Sequence, residues 1–531
     1  FTAHRSGVGR FVAPASAGYL LRVDLTTGSC QREPLAASLL QDCLGGRGLG
    51  TALLQEYAGL DPFSPEMPLV LTIGPLCGTP VPMSSRCVLT GRSPLTNTIF
   101  SSTSGGPLGP CLLGAGVVAV LLHGKADSSC LLEISRGGDR LLPAGQLWGL
   151  GSGATMQQLG QFGAATVIGP AGEQQVRYAS VETASGEPFS RGGFGAAMGS
   201  KRLKGIVLKN SPATVTIADQ AGFAKALEDL MRLFRASPFL LGPLGIREHG
   251  TSALVDLLRQ RGMLPGRHFS SFSGDETRWN AHALRQQYQS HQGGCHDCLV
   301  ACKRIASDGT VLPDYDQLAA FGGLCGMDDL EQIVELCSWC HDQGVDPVSY
   351  AAEKTASAGE TAMTVKGLDL PPYDPRASTG LALAYATSPH GASHLPAWPI
   401  ASEILRKPVP TDRFSFDGKA RVIAMFEDAN AAVDCLPLCR FASAAVELEE
   451  LAALLSAVTG QSYSPADLIK IGRRTVRQER LFNQQCGFAA TDDSLPQRFF
   501  TESANGLAPL DQQRFEQELA AYHRIRAAQC L

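Results

Sequence analysis

The sequence predicts an α+β protein, with a β-rich amino-terminal domain over residues 1–210 and two mainly α-helical domains over 211–365 and 366–531. Three observations predict it. Short runs rich in branched and aliphatic residues, bounded by Gly and Pro, fill the chain up to Leu208. Beyond Asn210 apolar residues recur at three- and four-residue spacing. Glycine, 57 residues in all, is concentrated in the first 200, which suggests backbone packed closely against something large.

Taken in order, 18–24 alternates and stops at the turn residues Thr26-Thr27-Gly28. Strands are predicted over 69–73, 86–90, 117–123 and 131–135. A further hairpin is expected from 165–168 and 176–181 around Gly169-Pro170-Ala171-Gly172. Helices are expected over 35–44 and 50–56, bracketing the glycine cluster at 45–50. Later, Phe223, Leu227, Leu230 and Phe234 share a helical face, as do Leu318, Phe321 and Leu324. Amphipathic helices are predicted over 329–341, 421–433, 447–458, 465–482 and 510–524, with the seam between the helical domains inside 345–375.

Composition narrows the function. Charged residues are 18% and hydrophobic ones 44%, which is a globular composition and excludes a disordered chain. A formal net charge of −5 gives no support to nucleic-acid binding. Apolar stretches are interrupted well short of a membrane span. Sixteen cysteines in a long chain without a visible leader point to reduced thiols and a cytoplasmic, anaerobic setting.

The strongest local signal is Cys295-His296-Asp297-Cys298-Leu299-Val300-Ala301-Cys302. Three thiols at this spacing can wrap one face of an iron–sulfur cubane. A tetrahedral zinc would equally need a fourth ligand. Cys325, Cys337, Cys340, Cys435, Cys439 and Cys486 are the candidates. Asp434-Cys435-Leu436-Pro437-Leu438-Cys439 reads as a helix end poised at a site, and spacing alone does not choose between its two cysteines. The Gly-rich strings Gly45–Gly50 and Arg191–Lys201 offer backbone N–H groups, but neither sits in a βαβ unit, and each alone reads as a tight turn. Arg86, at the start of an apolar strand, needs an anionic partner if buried.

Together these segments resemble the aldehyde:ferredoxin oxidoreductase family of tungsten or molybdenum bis-pterin enzymes. Gly74–Thr79, Gly105-Gly106, Gly344-Val345-Asp346, Tyr385-Ala386-Thr387 with His394, Arg480–Asn483 and Asp492-Asp493 join the strings above in carrying the resemblance. It implies a metal held by four dithiolene sulfurs of two pterins, with no protein ligand. It also implies a four-iron four-sulfur cluster on Cys295, Cys298, Cys302 and Cys439. The two pterin loops match His341–Asp346, with Gly344, Val345 and Asp346, and Asp434–Cys439, with Asp434 and Leu438. Arg86 would bridge cluster and pterin. Thr103, Gly105 and Gly106, with Arg191 and Gly193, would hold the phosphates around a magnesium ion. His394 and an acid, Asp316 rather than Asp314, would do the acid–base work.

Three positions depart from the family pattern. His341 stands where an acid is usual, Pro437 where Gly is, and Thr103 where Asn is; the chain after Asp346 is also short. The expected reaction is aldehyde oxidation, with electrons passed to a ferredoxin or polyferredoxin-like subunit. The alternatives are a low-potential acyl-CoA reductase-type subunit and a non-catalytic, cluster-bearing electron-transfer subunit. The chain is expected to work as an oligomer or as part of a larger complex. Lys303 and Arg304 would form a basic docking patch beside the cysteine loop.

Overall fold

The computed structural model describes residues 13–14, 18–209, 212–355, 362–407 and 409–529. Alternation over Tyr19–Asp24 produces a strand with its apolar side chains buried. Gly28, at φ +73, closes the turn that returns the chain antiparallel as Ser29–Pro34. These two strands edge a six-stranded sheet that continues through Val117–His123, Leu69–Thr72, Cys87–Arg92 and Ile99–Ser104. A second sheet orders Glu182–Thr183, Ala164–Val167, Leu203–Leu208, Cys130–Ile134 and Arg140–Pro143. Leu21, Leu71, Leu89, Val120, Leu132 and Ile206 lie in one continuous core shared by both sheets.

Two sequence expectations fail in this region for local reasons. The hairpin expected across Gly169–Gly172 is absent: Pro170 occupies the first helical turn of Pro170–Glu173, where its missing N–H costs nothing. Ala164–Val167 pairs instead with Leu203–Leu208 and Glu182–Thr183, while 176–181 makes only isolated bridges. The glycine cluster is not a turn between helices either. It is the first half of the helix Gly46–Leu54. A Cβ at Gly46 would lie 2.2 Å from the Asp434 carbonyl, one at Gly48 2.7 Å from Cys435 Sγ, and one at Gly50 2.5 Å from Thr90 Oγ1. The glycines are there so that a helix can be pressed between two layers, which outweighs their poor helix propensity.

After Val215–Thr216 the chain is mainly helical. Gln220–Arg235, Leu330–Gln343, Lys419–Cys435, Leu448–Thr459, Pro465–Gln485 and Gln512–Ala528 overlap the predicted helices. Their starts follow capping rules: Asp219, Asp329, Ser464 and Asp511 each accept a backbone N–H of the first turn. The helix Tyr315–Leu318 continues into a π-helical turn, Ala319–Leu324, a feature that tends to occur beside functional residues. Lys419–Cys435 packs against Gly46–Leu54, Pro465–Gln485 and Gln512–Ala528, so the glycine-rich helix joins the sheets to the carboxy-terminal helices. No helix among the described residues is long and apolar enough to cross a membrane.

Candidate active site

The cysteine loop is closed at its base by the strand pair His291–Gly293 and Lys303–Ile305, in which Gly293 faces Lys303. Inside it, Cys298 N donates to the Cys295 carbonyl at 3.2 Å. Ala301 N donates to Cys298 Sγ at 3.4 Å. Asp297 and Ala301 hold positive φ, so the loop is strained into this shape. The segment before Cys87–Arg92 clamps it from the other side. Met83 N donates to the Asp297 carbonyl at 3.3 Å, and Ser85 Oγ to that of His296 at 3.0 Å. Cys439 N donates to the Met83 carbonyl at 3.0 Å.

Cys295, Cys298, Cys302 and Cys439 thereby line one cavity of about 380 Å³. Cys435 does not: it is fully buried against Gly48, with Thr475 Oγ1 3.5 Å from its sulfur. Among the described residues no three His, Cys, Asp or Glu side chains converge on a single metal ion. Burial pushes the thiols of Cys295, Cys302 and Cys439 above their ordinary range. Gly105 gives the loop its clearance, since a Cβ there would lie 2.2 Å from Cys295 Sγ.

Arg86 reaches across the wall beside these thiols. Its Nη2 donates to both the carbonyl and the hydroxyl of Thr103 at 3.0 Å, and Glu187 lies 3.8 Å from Nη1. Burial opposes its charge, but the fields of Cys439, Glu187, Cys295 and Cys302 carry its pKa above the ordinary value. Gly106, at φ +103, packs on Ser185 behind this wall.

A second wall carries a charge network that sequence reasoning missed. Arg47 is buried, donates twice to Glu479 at 2.6 and 2.7 Å, and reaches Asp434 at 3.1 Å. Asp434 also accepts from Arg440 at 2.7 Å. His390 Nε2 is 3.4 Å from Glu479, and its ring lies 4.9 Å from that of Phe100. Burial works against the Glu479 carboxylate, but Arg47 and His390 hold its pKa down to about 2. Arg47 and Glu479 are 432 residues apart, and no local pattern in a single sequence pairs them. Leu438 lines the cavity beside Cys439.

The third wall comes from the loop 341–346. Gly344, at φ +72, ends the Leu330–Gln343 helix, and Val345 N donates back to the Cys340 carbonyl at 2.9 Å. Gly344 and Val345 shape the loop from behind, whereas Asp346 faces the cavity. Asp346 accepts from Val348 N and Ser349 N at 3.3 Å and pairs with Arg191 at 3.3 Å. Arg191 also donates to the carbonyls of Asp369 (2.6 Å) and Ala392 (3.3 Å). Gly192 and Gly193, at φ +103 and +75, turn the chain into the helix Phe194–Ser200. His341 faces the cavity too. Gln317 Oε1 accepts Asp314 N–H at 3.0 Å, so its Nε2 donates to His341 Nε2 at 2.9 Å. That leaves His341 Nδ1 to donate to Glu182 at 3.1 Å. A carboxylate therefore stands directly behind the histidine that replaces the expected acid.

Asp316 and His394 meet at the same cavity. Asp314, by contrast, caps the Tyr315–Leu318 helix and is taken up by Lys303 and by Thr251 Oγ1. Asp316 Oδ1 is shielded and has no partner, and the same is true of His394 Nδ1. Burial raises the Asp316 pKa to about 6, against a hydrogen bond from Tyr373 and the charge of Arg191. Burial, with Arg191 and Arg440, lowers His394 to about 3, so its ring is neutral. The Tyr373 ring stands 4.7 Å from that of His394. Both residues thus line the cavity while each keeps one shielded polar atom without a partner, a feature that occurs at functional sites.

One expectation is overturned. Lys303 and Arg304 do not form a surface patch: both are buried. Lys303 bonds Asp314 and lies 3.1 Å from Glu187, inside the cavity wall. Strand alternation sends the two side chains to opposite faces and closes both over.

The family model for the aldehyde ferredoxin oxidoreductase N-terminal domain matches residues 20–210, and that for its domains 2 and 3 matches 225–353 and 348–527. The tungsten-containing aldehyde ferredoxin oxidoreductase of Pyrococcus furiosus is 30% identical, over 96% of both chains. That of Thermococcus kodakarensis is 29% identical, over 96% of both. The solved active-site complex BamBC of benzoyl coenzyme A reductase with 1,5-dienoyl-CoA shares the fold, with a TM-score of 0.80, 19% identity, and coverage of 97% of this chain and 95% of that one. The chain belongs to the aldehyde ferredoxin oxidoreductase family.

Proposed function

We propose that the chain is a tungsten bis-pterin oxidoreductase that converts an aldehyde and water to a carboxylate, three protons and two electrons. A four-iron four-sulfur cluster held by the four cysteines would carry the electrons singly to an external iron–sulfur protein. The observation that carries this reading is one cavity lined both by Cys295, Cys298, Cys302 and Cys439 and by Asp316 and His394. The names of the full-length relatives support tungsten and aldehyde.

The residues present fit both groups. Four thiols suit a cubane, Ala301 N–H is already aimed at Cys298 Sγ, and Arg86 offsets the negative charge of the ligated sulfurs. Asp346, His341 backed by Glu182, and Asp434 with Leu438 would hold the pterins. Arg191, Gly193, Thr103, Gly105 and Gly106 would serve their phosphates, with a magnesium ion between them. When bound, the tungsten bis-pterin supplies the two-electron redox chemistry. Asp316 then acts as general base: ionised above pH about 6, its carboxylate accepts a proton from the reacting water. His394, neutral, orients the substrate carbonyl from the cavity wall. Arg86 spans from the thiols to Thr103, where it would bridge cluster and pterin.

The test is an anoxic assay of the holoenzyme with benzyl viologen, against a panel of aldehydes and an aromatic acyl-CoA. Dye reduction with aldehydes is expected. Turnover of the acyl-CoA alone would assign the chain to the reductase alternative, and turnover of neither would remove both.

A further inference from the structure

The strand pair that closes the cysteine loop has two sides. Lys303 faces the active-site cavity, while Arg304 faces a second cavity of about 330 Å³ that it lines with Glu248, His249, Arg285, His291 and Gln292. Arg304 is buried, and its Nη2 is held by the carbonyls of Ile246, Arg247 and Ala301. Its Nε is shielded from solvent and has no partner. Gly250, at φ +71, makes the space: a Cβ there would lie 3.0 Å from Arg304 Nε and 3.0 Å from the Cys302 carbonyl oxygen. Gly250 thus borders both Arg304 Nε and the Cys302 carbonyl, and Arg304 Nη2 reaches the carbonyl of Ala301, the neighbour of a proposed cluster ligand, at 3.4 Å.

Nε is covered by Gly250, so the charge of the buried guanidinium at the cavity wall, rather than that donor, is what calls for an anion. The lining supplies more positive character than negative. Arg285 and His291 are exposed at the rim, and His249 Nε2 is tied to the Pro243 carbonyl at 3.2 Å. Glu248 is the one acid in the lining, and its Oε1 already accepts from Gln292 at 3.3 Å. A carboxylate matches a guanidinium and is held most strongly when both are charged. At roughly 3.3 Å per residue along a strand, Arg304 lies about 7 Å from Cys302. An anion seated here is therefore next to the point where electrons would leave the cluster.

We propose that this pocket is the docking site of the electron-carrier protein, which seats an acidic side chain between Arg304, Arg285 and His291. The proposal rests on the reading of the chain as an electron-exporting enzyme, and it moves the docking face from a surface patch at Lys303 to the pocket on the other side of the same strands. Tunnelling falls steeply with distance, so a carrier bound here, beside the strands that close the cysteine loop, has a short path to it, and complementary charge would speed its encounter.

The experiment uses anoxically purified holoenzyme, wild type and Arg285→Glu, with a bacterial two-cluster ferredoxin as the probe. Ferredoxin affinity is measured by surface plasmon resonance at about 20 mM and about 300 mM salt, spanning weak and strong screening. Aldehyde-dependent reduction of benzyl viologen is measured in parallel. Arg285→Glu is expected to weaken ferredoxin binding at least tenfold at low salt, with the gap closing at high salt and the dye rate unchanged. Equal affinity of the two proteins, or no binding by wild type, overturns the proposal. Loss of ferredoxin binding caused by inorganic phosphate, but insensitive to Arg285→Glu, would assign the pocket to a free anion and also overturn it. Absence of dye reduction in both proteins would instead fault the enzymatic reading, and the binding data would still decide the docking site.

Discussion

At the scale of single residues, Asp316 and His394 make the sharpest claims. Asp316 has a folded pKa raised to about 6, so its base form is lost as pH falls through that value. His394 is lowered to about 3 and stays neutral across the working range. The rate of aldehyde oxidation is therefore expected to rise with pH through about 6, with no second limb from the histidine. Asp316→Asn should remove that limb and lower turnover by roughly 10²–10⁴, the usual worth of a general base. A limb that survives in Asp316→Asn would assign the base elsewhere. The cysteines divide just as clearly. Cys439→Ser should lose the visible iron–sulfur absorbance, while Cys435→Ser, whose sulfur packs on Gly48 and Thr475, should keep it. The reverse result would reassign the ligand. The triplet at 295–302 was legible in the sequence because its donors are local. The choice between Cys435 and Cys439 was not, because it depends on where the Lys419–Cys435 helix stops.

At the scale of elements, the helix Gly46–Leu54 holds the layers together through Arg47 and Glu479. Removing one partner of a buried pair leaves an uncompensated charge and costs about 3–5 kcal/mol. Glu479→Gln should lower the unfolding free energy by about that amount in a denaturant titration; a loss below about 1 kcal/mol would show the pair to be solvated. The same carboxylate ties stability to pH. Its pKa is depressed to about 2 in the fold, so its contribution is complete above the ordinary glutamate value near ~4.3 and is lost as pH falls towards 2. Glu479→Gln should flatten that acid limb. The sequence misread this helix because local rules assign glycine runs to turns, whereas close approach to Asp434 and Thr90 decides the matter here. The long amphipathic helices were legible because their burial follows a period that no distant contact overrides. The misplaced patch at Lys303 and Arg304 has a related cause: two adjacent charges on a strand look like one surface in sequence but point to opposite sides in space.

At the scale of the whole molecule, the cavity exists only when distant parts of the chain meet. Arg86, Thr103 and Arg191 come from the region of the two sheets, Cys295–Cys302 and Asp346 from the middle of the chain, and His394, Asp434 and Cys439 from its last third. The ligand set of the proposed cluster spans two of these parts, so cluster assembly should be coupled to folding. Anaerobic removal of iron with a chelator is expected to lower the melting temperature, and an unchanged melting curve would uncouple them. This dispersal also explains what sequence alone could reach. The order of the motifs identified the family, while the network of Arg47, Glu479, Asp434 and His390, and the Glu182 carboxylate behind His341, became visible only once the chain had folded. The central claim is that this one cavity holds a metal bis-pterin beside an iron–sulfur cluster. Its most direct test is the iron, tungsten, molybdenum and pterin content of the anoxically purified chain. The account predicts about four irons, one tungsten and two pterins per chain. A full complement of iron with neither tungsten nor molybdenum would contradict it and leave an electron-transfer subunit in its place.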